Sequence, residues 1–280
     1  MCIQFSLTNC KQEKVLMKAI IFTDLDASLL HEETFSCFEI IDTLKSFMSN
    51  GVLIVPNTSK TEIETRNVLD SLGIRTPFIV ENGAKFCDIH HSFQLIAETE
   101  KEFGIEVSEL NIRLEKLAGL SFVRDFQSII KLKRDNASQI LGLNGSELEE
   151  ALERRYSLLF QYIGPKSKIP FWHEALLNVG LNLSQGGRVF AVSGCHDKAT
   201  PIKWLSKKLV SMGQRPPKFI AIGDSNNDKP MLLASAVACV IPRLNGSRLA
   251  LPEHPCVVFA DEPAPFGWQH AAKKALEFLK

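Results

Sequence analysis

KAIIFTDLDAS, residues 18–28, holds the reading that decides the fold. Its first six residues form a short apolar run that stops at two carboxylates, Asp24 and Asp26. A run of that length without polar alternation fits a strand buried on both faces, as in a parallel sheet. Working outward, Ile40, Ile41, Leu44, Phe47 and Met48 fall at helical spacing between Phe38 and Asn50, and Gly51 stands where a left-handed residue would close the helix. VLIVP (52–56) reads as a second strand, TEIETRNVLDSLG as a second amphipathic helix closed by Gly73, and FIV (78–80) as a third strand. This order predicts an α/β fold with a doubly wound, Rossmann-like parallel sheet.

From Cys87 the rhythm changes. Short strand candidates (FQLIA, LLFQYI, RVFAV) alternate with charged helices such as ELNIRLEKLAGL and SELEEALERRY, which predicts an inserted α+β domain. The α/β rhythm then resumes with TPIKWLSKKLVSMG (helix), KFIAIG (strand), NDKPMLLAS (helix), AVACVI and CVVFA (strands) and GWQHAAKKALEFLK (helix). The expected organisation is therefore a core of residues 1–86 and 193–280, split by a cap of residues 87–192. Residues 1–16 are polar and mixed, and read as a loosely held extension or an ambiguity of translation start.

Composition narrows the function classes. Thirty-two basic residues balance 32 acidic ones, which argues against a dedicated nucleic-acid or acidic-membrane binder and makes any anion site a local feature. The seven cysteines are scattered and never spaced C-x-x-C, so neither a disulfide framework nor a zinc site is expected. No run approaches the ~20 apolar residues of a membrane span, and the first residues lack the order of a secretory signal. The expected location is the cytoplasm.

Four constellations carry candidate chemistry. Asp24 and Asp26 end the first strand, where ligands of open parallel sheets bind, and a divalent cation would relieve their mutual repulsion. A pair that merely caps a turn fits the same residues. Asn57-Thr58-Ser59-Lys60 ends the second strand, where hydroxyls and a helix start could hold a phosphoryl oxygen, or where Thr58 or Ser59 could be a plain N-cap. Lys198 in H-D-K-A-T-P lies just before a helix start, with Thr200 suited to the N-cap and Pro201 to the first turn. A cation there favours an anionic partner, though a solvated lysine is the plainer account. G-D-S-N-N-D (223–228) brings Asp224 and Asp228 to another strand's carboxyl end, as hard-cation ligands or as an acidic turn. Their joint occurrence in one α/β chain favours the chemical readings.

With these four in order, the chain resembles the haloacid dehalogenase superfamily of phosphohydrolases, whose motifs are D-x-D-x-[TS], a strand-end Thr/Ser, a Lys and G-D-x-x-x-D. The insertion resembles that superfamily's type IIB cap. T-S-K-T (58–61), F-I-V-E-N-G-A (78–84), A-L-E-R-R-Y-S (151–157), G-L-N-L-S-Q-G-G-R (180–188), D-K-A-T-P-I-K-W-L (197–205) and P-A-P-F-G-W (263–268) are similar to the mannosyl-3-phosphoglycerate phosphatase family. The resemblance runs from about Met17 to the last helix.

That resemblance implies a role for each matched position. Asp24 would be a nucleophile forming an aspartyl-phosphate, and Asp26 a general acid and then base. Thr58 and Lys198 would hold the phosphoryl oxygens. Mg²⁺ would be bound by the Asp24 carboxylate, the backbone carbonyl of Asp26 and the Asp224 carboxylate, with Asn227 and Asp228 in support. The cap would read the organic part of the substrate, Arg188 being the first candidate for a bidentate contact. Ser59, Lys60, Asn82 and Arg154 are further substrate-binding candidates. The implied partner is a small phosphorylated sugar or glycerate metabolite, a mannosyl- or glucosyl-3-phosphoglycerate, whose product could serve as a compatible solute. Another phosphosugar, or a binding or regulatory homologue without turnover, are the alternatives; monomer and homodimer stay equally open. Three departures from the family pattern stand out: Ala27 replaces the glycine of D-x-D-G-T, Leu158 and Leu159 follow R-R-Y-S, and His196 precedes D-K.

Overall fold

The computed structural model describes residues 17–117, 119, 121–186 and 189–279. Two of the expectations above, the extension at 1–16 and the contact residue Arg188, lie outside the described residues.

The chain opens with β1 (Ala19–Thr23), a 3₁₀ turn leading into α1 (Ile41–Ser49), β2 (Val52–Pro56), α2 (Glu62–Leu72), β3 (Phe78–Val80), β4 (Lys85–Cys87), α3 (Ile89–Ser92) and β5 (Lys101–Glu102). There follow α4 (Val107–Glu115), α5 (Phe122–Asp125), β6 (Phe126–Ser128), α6 (Arg134–Leu141), α7 (Gly145–Leu152), β7 (Ser157–Tyr162), α8 (Ile169–Asn178), β8 (Asn182–Gln185) and β9 (Phe190–Ser193). The last part holds α9 (Thr200–Ser211), β10 (Lys218–Gly223), α10 (Lys229–Leu233), β11 (Val237–Val240), β12 (Val257–Phe259) and α11 (Phe266–Glu277).

Two compact units result. Among the described residues, one comprises residues 17–59, Thr65–Glu102 and residues 197–279; the other comprises Lys60–Glu64 and the described residues from Phe103 to His196. The first is built on a five-stranded, all-parallel sheet in the order β12-β11-β10-β1-β2. Every residue of β1, β2 and β11 is buried, so these strands need apolar side chains on both faces, which is why they read as unbroken runs. Ala19, Ile21, Val52, Ile54, Ile220, Ile222, Val237 and Cys239 share one cluster with Leu44 of α1, Leu69 and Leu72 of α2 and Trp268, Ala271, Ala272 and Ala275 of α11. The alternate residues Ile20, Phe22, Leu53, Val55, Phe219, Ala221, Ala238 and Val240 are buried outside it, and strand geometry turns them to the opposite face. There Phe22 and Phe219 meet edge to face at 5.4 Å.

Three expectations are corrected. FIV does not join the parallel sheet: β3 pairs antiparallel with β4, which pairs with β5, and a single bridge, Asn57 with Ile79, links it to the end of β2. FQLIA is not a strand but turns and irregular backbone after α3, with Phe93 and Ile96 buried three residues apart. Thr200 is not the N-cap of α9 but its first residue; Ala199 holds the cap position, and Asp197 Oδ1 accepts the Ala199 and Thr200 N–H groups at 2.9 Å.

The second unit holds a four-stranded antiparallel sheet, β6-β7-β9-β8, giving the fold its α+β insertion. Its core is aromatic: Phe122 stacks on Phe126 at 4.4 Å, and Phe160, Trp172 and Phe190 pack edge to face around them. The buried Asp125 is compensated by the Trp172 indole N–H at 2.8 Å. Among the described residues no helix is long and apolar enough to cross a membrane, and Cys37, Cys87, Cys195, Cys239 and Cys256 are free thiols.

Candidate active site

The first unit gathers the four constellations, Lys60 excepted, at the carboxyl ends of β1, β2 and β10, together with the start of α9. Asp24 directly follows β1 and is held to β10 by its N–H, which donates to the Ile222 carbonyl at 2.9 Å. Its own carbonyl accepts the Thr23 hydroxyl at 2.7 Å, and that hydroxyl accepts the Trp268 indole N–H at 2.9 Å. The tryptophan of P-A-P-F-G-W therefore fixes the backbone at Asp24, a role its sequence position does not reveal.

Lys198 is fully buried, with Nζ 2.8 Å from Asp24 Oδ1 and 2.6 Å from Asp228 Oδ1. Burial works to lower its pKa, but the Asp228 and Asp24 carboxylates outweigh burial and hold it above the ordinary lysine range. It stays a cation. This excludes the solvated surface lysine. Asp228 is committed to structure on its other oxygen, which accepts the Asp224 and Ser225 N–H groups, each at 3.0 Å. Gly223 is glycine for this reason: a Cβ there would lie 2.5 Å from that of Asp228.

Asp224 accepts the Ser28 hydroxyl at 3.0 Å on Oδ1, and Arg243 approaches its Oδ2 to 2.6 Å. Burial, then the Asp228 charge, pushes its pKa up to about 6 against the pull of Arg243 and Ser28. Asp24 is raised well above the carboxylate range, first by burial and then by the charges of Asp228, Asp224 and Asp26, with Lys198 pulling the other way. Asp26, two residues on, is partly buried.

Asn57 and Thr58 continue β2. The Asn57 N–H donates to the Thr23 carbonyl at 2.7 Å and its side-chain amide to the Lys198 carbonyl at 2.8 Å, so Asn57 joins the second constellation to the third. Thr58 is fully buried; its N–H donates to the Ile79 carbonyl at 3.0 Å and its carbonyl accepts the Asn82 N–H at 2.9 Å. It is not the cap of α2. Thr61 and Glu64 form that cap reciprocally, the Glu64 N–H donating to Thr61 Oγ1 at 3.3 Å and the Thr61 N–H to Glu64 Oε2 at 2.8 Å. Asn82 is left-handed (φ 58°) in the turn after β3, and its Oδ1 accepts the Asn227 amide at 3.1 Å. A Cβ on the adjacent Gly83 would stand 2.0 Å from the Asp197 carbonyl oxygen, so glycine lets the Lys198 segment approach.

The structure thus brings together Asp24, Asp26, Thr58, Asn82, Lys198, Asp224, Asn227 and Asp228, with Ser59 next to Thr58. Lys60 and Arg154 belong to the second unit, where Lys60 lies 4.0 Å from Glu64 and Arg154 donates to Ser157 Oγ at 2.9 Å. Sequence reasoning named Asn57 only as part of the second constellation, without its link to Lys198, and missed Trp268 and Arg243 as parts of the site. The signal for Arg243 was its place just beyond β11, at a strand carboxyl end like the other motifs.

The residues fit a divalent cation. Ligand oxygens of Asp24, Asp224 and Asp228, all buried, lie within 4.8 Å of one another. Asp24, Asp224 and Asp228 crowd together beside the cations Lys198 and Arg243, and a hard divalent ion with oxygen ligands would offset the repulsion that helps raise Asp24 and Asp224. Because Asp228 is spent on Lys198 and backbone N–H groups, Asp24 and Asp224 are the carboxylates offered to it. A carboxylate beside a permanent cation and a metal can attack an electrophile whose negative charge these cations offset.

Comparison with known proteins agrees. Residues 21–105 match the family model for haloacid dehalogenase-like hydrolases. A glucosyl-3-phosphoglycerate/mannosyl-3-phosphoglycerate phosphatase of Persephonella marina is 28% identical over 269 residues, covering 93% of this chain and 98% of the relative. A mannosyl-3-phosphoglycerate phosphatase of Pyrococcus horikoshii is 30% identical over 223 residues, 77% of this chain and 87% of the relative. Among solved structures, a haloacid dehalogenase-like hydrolase from B. subtilis superposes with a TM-score of 0.60 at 19% identity, covering 93% of this chain and 99% of its own. With a core sheet of this topology, an α+β insertion and a carboxylate–lysine site at the strand ends, the chain belongs to the haloacid dehalogenase-like hydrolases, as one of their phosphatases.

Proposed function

We propose that the chain hydrolyses a glycosyl-3-phosphoglycerate, mannosyl or glucosyl, to glycosylglycerate and phosphate through an aspartyl-phosphate on Asp24, with Mg²⁺ as cofactor. The observation that carries the chemistry is the buried lysine between two carboxylates, 2.8 Å from Asp24 and 2.6 Å from Asp228, beside Asp224. Well-packed apolar side chains in place of the whole lysine–carboxylate cluster would stabilise the fold as well, whereas this lysine can bind a phosphoryl oxygen next to a nucleophile.

In this mechanism an Asp24 carboxylate oxygen attacks phosphorus, the ester P–O bond breaks, and Asp26 gives its proton to the departing glycerate oxygen. Asp26, now ionised, takes a proton from water; the water oxygen attacks phosphorus, the Asp24–phosphorus linkage breaks, and phosphate leaves. Thr58 and Ser59 donate to phosphoryl oxygens, and Lys198 neutralises them. Mg²⁺ would be held by the Asp24 and Asp224 carboxylates and the Asp26 carbonyl, supplying charge that offsets the repulsion between a phosphate dianion and the acidic cluster. Asn227 and Asp228 keep that loop in place.

The substrate assignment is supported by the relatives of P. marina and P. horikoshii, which align over most of this chain. The organic part is assigned to Lys60, Asn82, Arg154 and Arg188, with Arg188 binding the glycerate carboxylate in a bidentate pair. The test is phosphate release from a panel of phosphorylated metabolites containing both glycosyl-3-phosphoglycerates. One of these two is expected to exceed every other substrate in kcat/KM by at least about tenfold. A different phosphosugar at the head of the panel would discard the glycosyl-3-phosphoglycerate reading while leaving the phosphoryl chemistry intact.

A further inference from the structure

Arg243 is a cation of this site that the proposed chemistry does not use. One terminal guanidinium nitrogen is 2.6 Å from Asp224 Oδ2 and the second terminal nitrogen 3.3 Å from Glu32 Oε1. The second Glu32 oxygen accepts the Leu244 N–H at 2.9 Å, so Glu32 is anchored to the same loop. The Arg243 backbone is fixed in that loop as well: its N–H donates to the Ser247 carbonyl at 3.0 Å and its carbonyl accepts the Gly246 N–H at 2.8 Å.

Both oxygens of Asp224 are thus engaged, Oδ1 by Ser28 and Oδ2 by Arg243. A cation that takes Asp224 as a ligand must compete with one of them. The two cations of the site differ in what competition would cost. Lys198 is fully buried between two carboxylates and has nowhere to go. Arg243 is 31% exposed and already touches a second carboxylate, so its side chain can release Asp224 while keeping an ionic partner and water.

We propose that Arg243 is a built-in stand-in for the metal ion: it neutralises Asp224 while the divalent cation is absent and withdraws onto Glu32 when the cation takes Asp224. This rests on the reading of Asp24 and Asp224 as metal ligands. Arg243 is then a positioning residue that sets how tightly the ion is held and keeps the empty carboxylate cluster folded. Glu32 acts only through Arg243, as the place it withdraws to.

The experiment is calorimetric titration of the full chain with Mg²⁺ at neutral pH, together with melting curves of the metal-free protein. The wild type is read first: no Mg²⁺ uptake would overturn the metal-site reading and this inference with it. Given uptake, Arg243→Gln is expected to bind Mg²⁺ roughly tenfold more tightly, since a competing positive charge is gone, and to melt at a lower temperature when metal-free. A residue that only braced the loop would lose both together. Glu32→Gln is expected to weaken Mg²⁺ binding, and the double variant to match Arg243→Gln alone. Unchanged or weaker binding in Arg243→Gln overturns the proposal; if that variant fails to fold, unchanged or tighter binding in Glu32→Gln does so.

Discussion

Ala27 lies in the left-handed region at φ 57°, where the resembling motif carries glycine, and it is buried. Its Cβ has to be tolerated in a conformation that costs a non-glycine residue about 1–2 kcal/mol. Ala27→Gly regains that strain and gives back part of it in unfolded-state entropy, so a net gain of about 0.5–1 kcal/mol is expected in the urea midpoint, with phosphate release retained. A loss of stability would mean that the methyl group packs better than its backbone suggests. Lys198 is the opposite case, a residue whose removal leaves two buried carboxylates facing each other. Lys198→Met is expected to cost about 3–5 kcal/mol in the same measurement and to cut phosphate release by at least about a hundredfold. A Lys198→Met protein with wild-type turnover would remove lysine from the chemistry.

At the scale of elements, α2 is held at its start by the reciprocal Thr61–Glu64 bonds, and the Thr61 hydroxyl also donates to the Glu150 carbonyl at 3.0 Å. Thr61→Ala is expected to destabilise by about 1–2 kcal/mol in denaturant unfolding; a change within error would show the cap to be redundant. The same stretch shows what can be read in a sequence. β1, β2, β10 and the helices after them were legible because strands buried on both faces leave unbroken apolar runs, and helices leave a 3.6 period. The partner of β3 was not: three apolar residues look alike in a parallel or an antiparallel pairing, and the turn Glu81-Asn82-Gly83 that sends the chain back is a better guide than FIV itself. FQLIA misled because Phe93 and Ile96 are buried from irregular backbone, which composition cannot separate from a strand. The cap of α9 went to Thr200 on residue type, whereas Asp197 reaches the same N–H groups from outside the helix. In the site itself the charged motifs were legible by type and spacing. The parts played by Asn57, Trp268 and Arg243 were not, because they depend on contacts between segments far apart in sequence.

For the whole molecule, the acidic cluster ties stability, pH and metal together. Asp224 has a folded-state pKa of about 6, above its unfolded value of 3.8. The folded state therefore holds the extra proton, and the contribution to stability is complete below pH 3.8 and lost as pH rises through about 6. Asp24 is raised in the same direction. In the metal-free protein this contribution is expected to fall across that window, and Mg²⁺ to restore stability above it, because the ion needs the deprotonated carboxylates. Melting curves at acidic and neutral pH, with Mg²⁺ and with chelator, check this: a Mg²⁺ stabilisation no smaller at the acidic pH would refute the linkage. The central claim, that Asp24 carries the phosphoryl group, is tested most directly by rapid acid quench of turnover on a glycosyl-3-phosphoglycerate, followed by peptide mass spectrometry. The account predicts one phosphoryl group on the peptide containing Asp24 and none in Asp24→Asn, whose phosphate release is abolished; undiminished release by Asp24→Asn would contradict it.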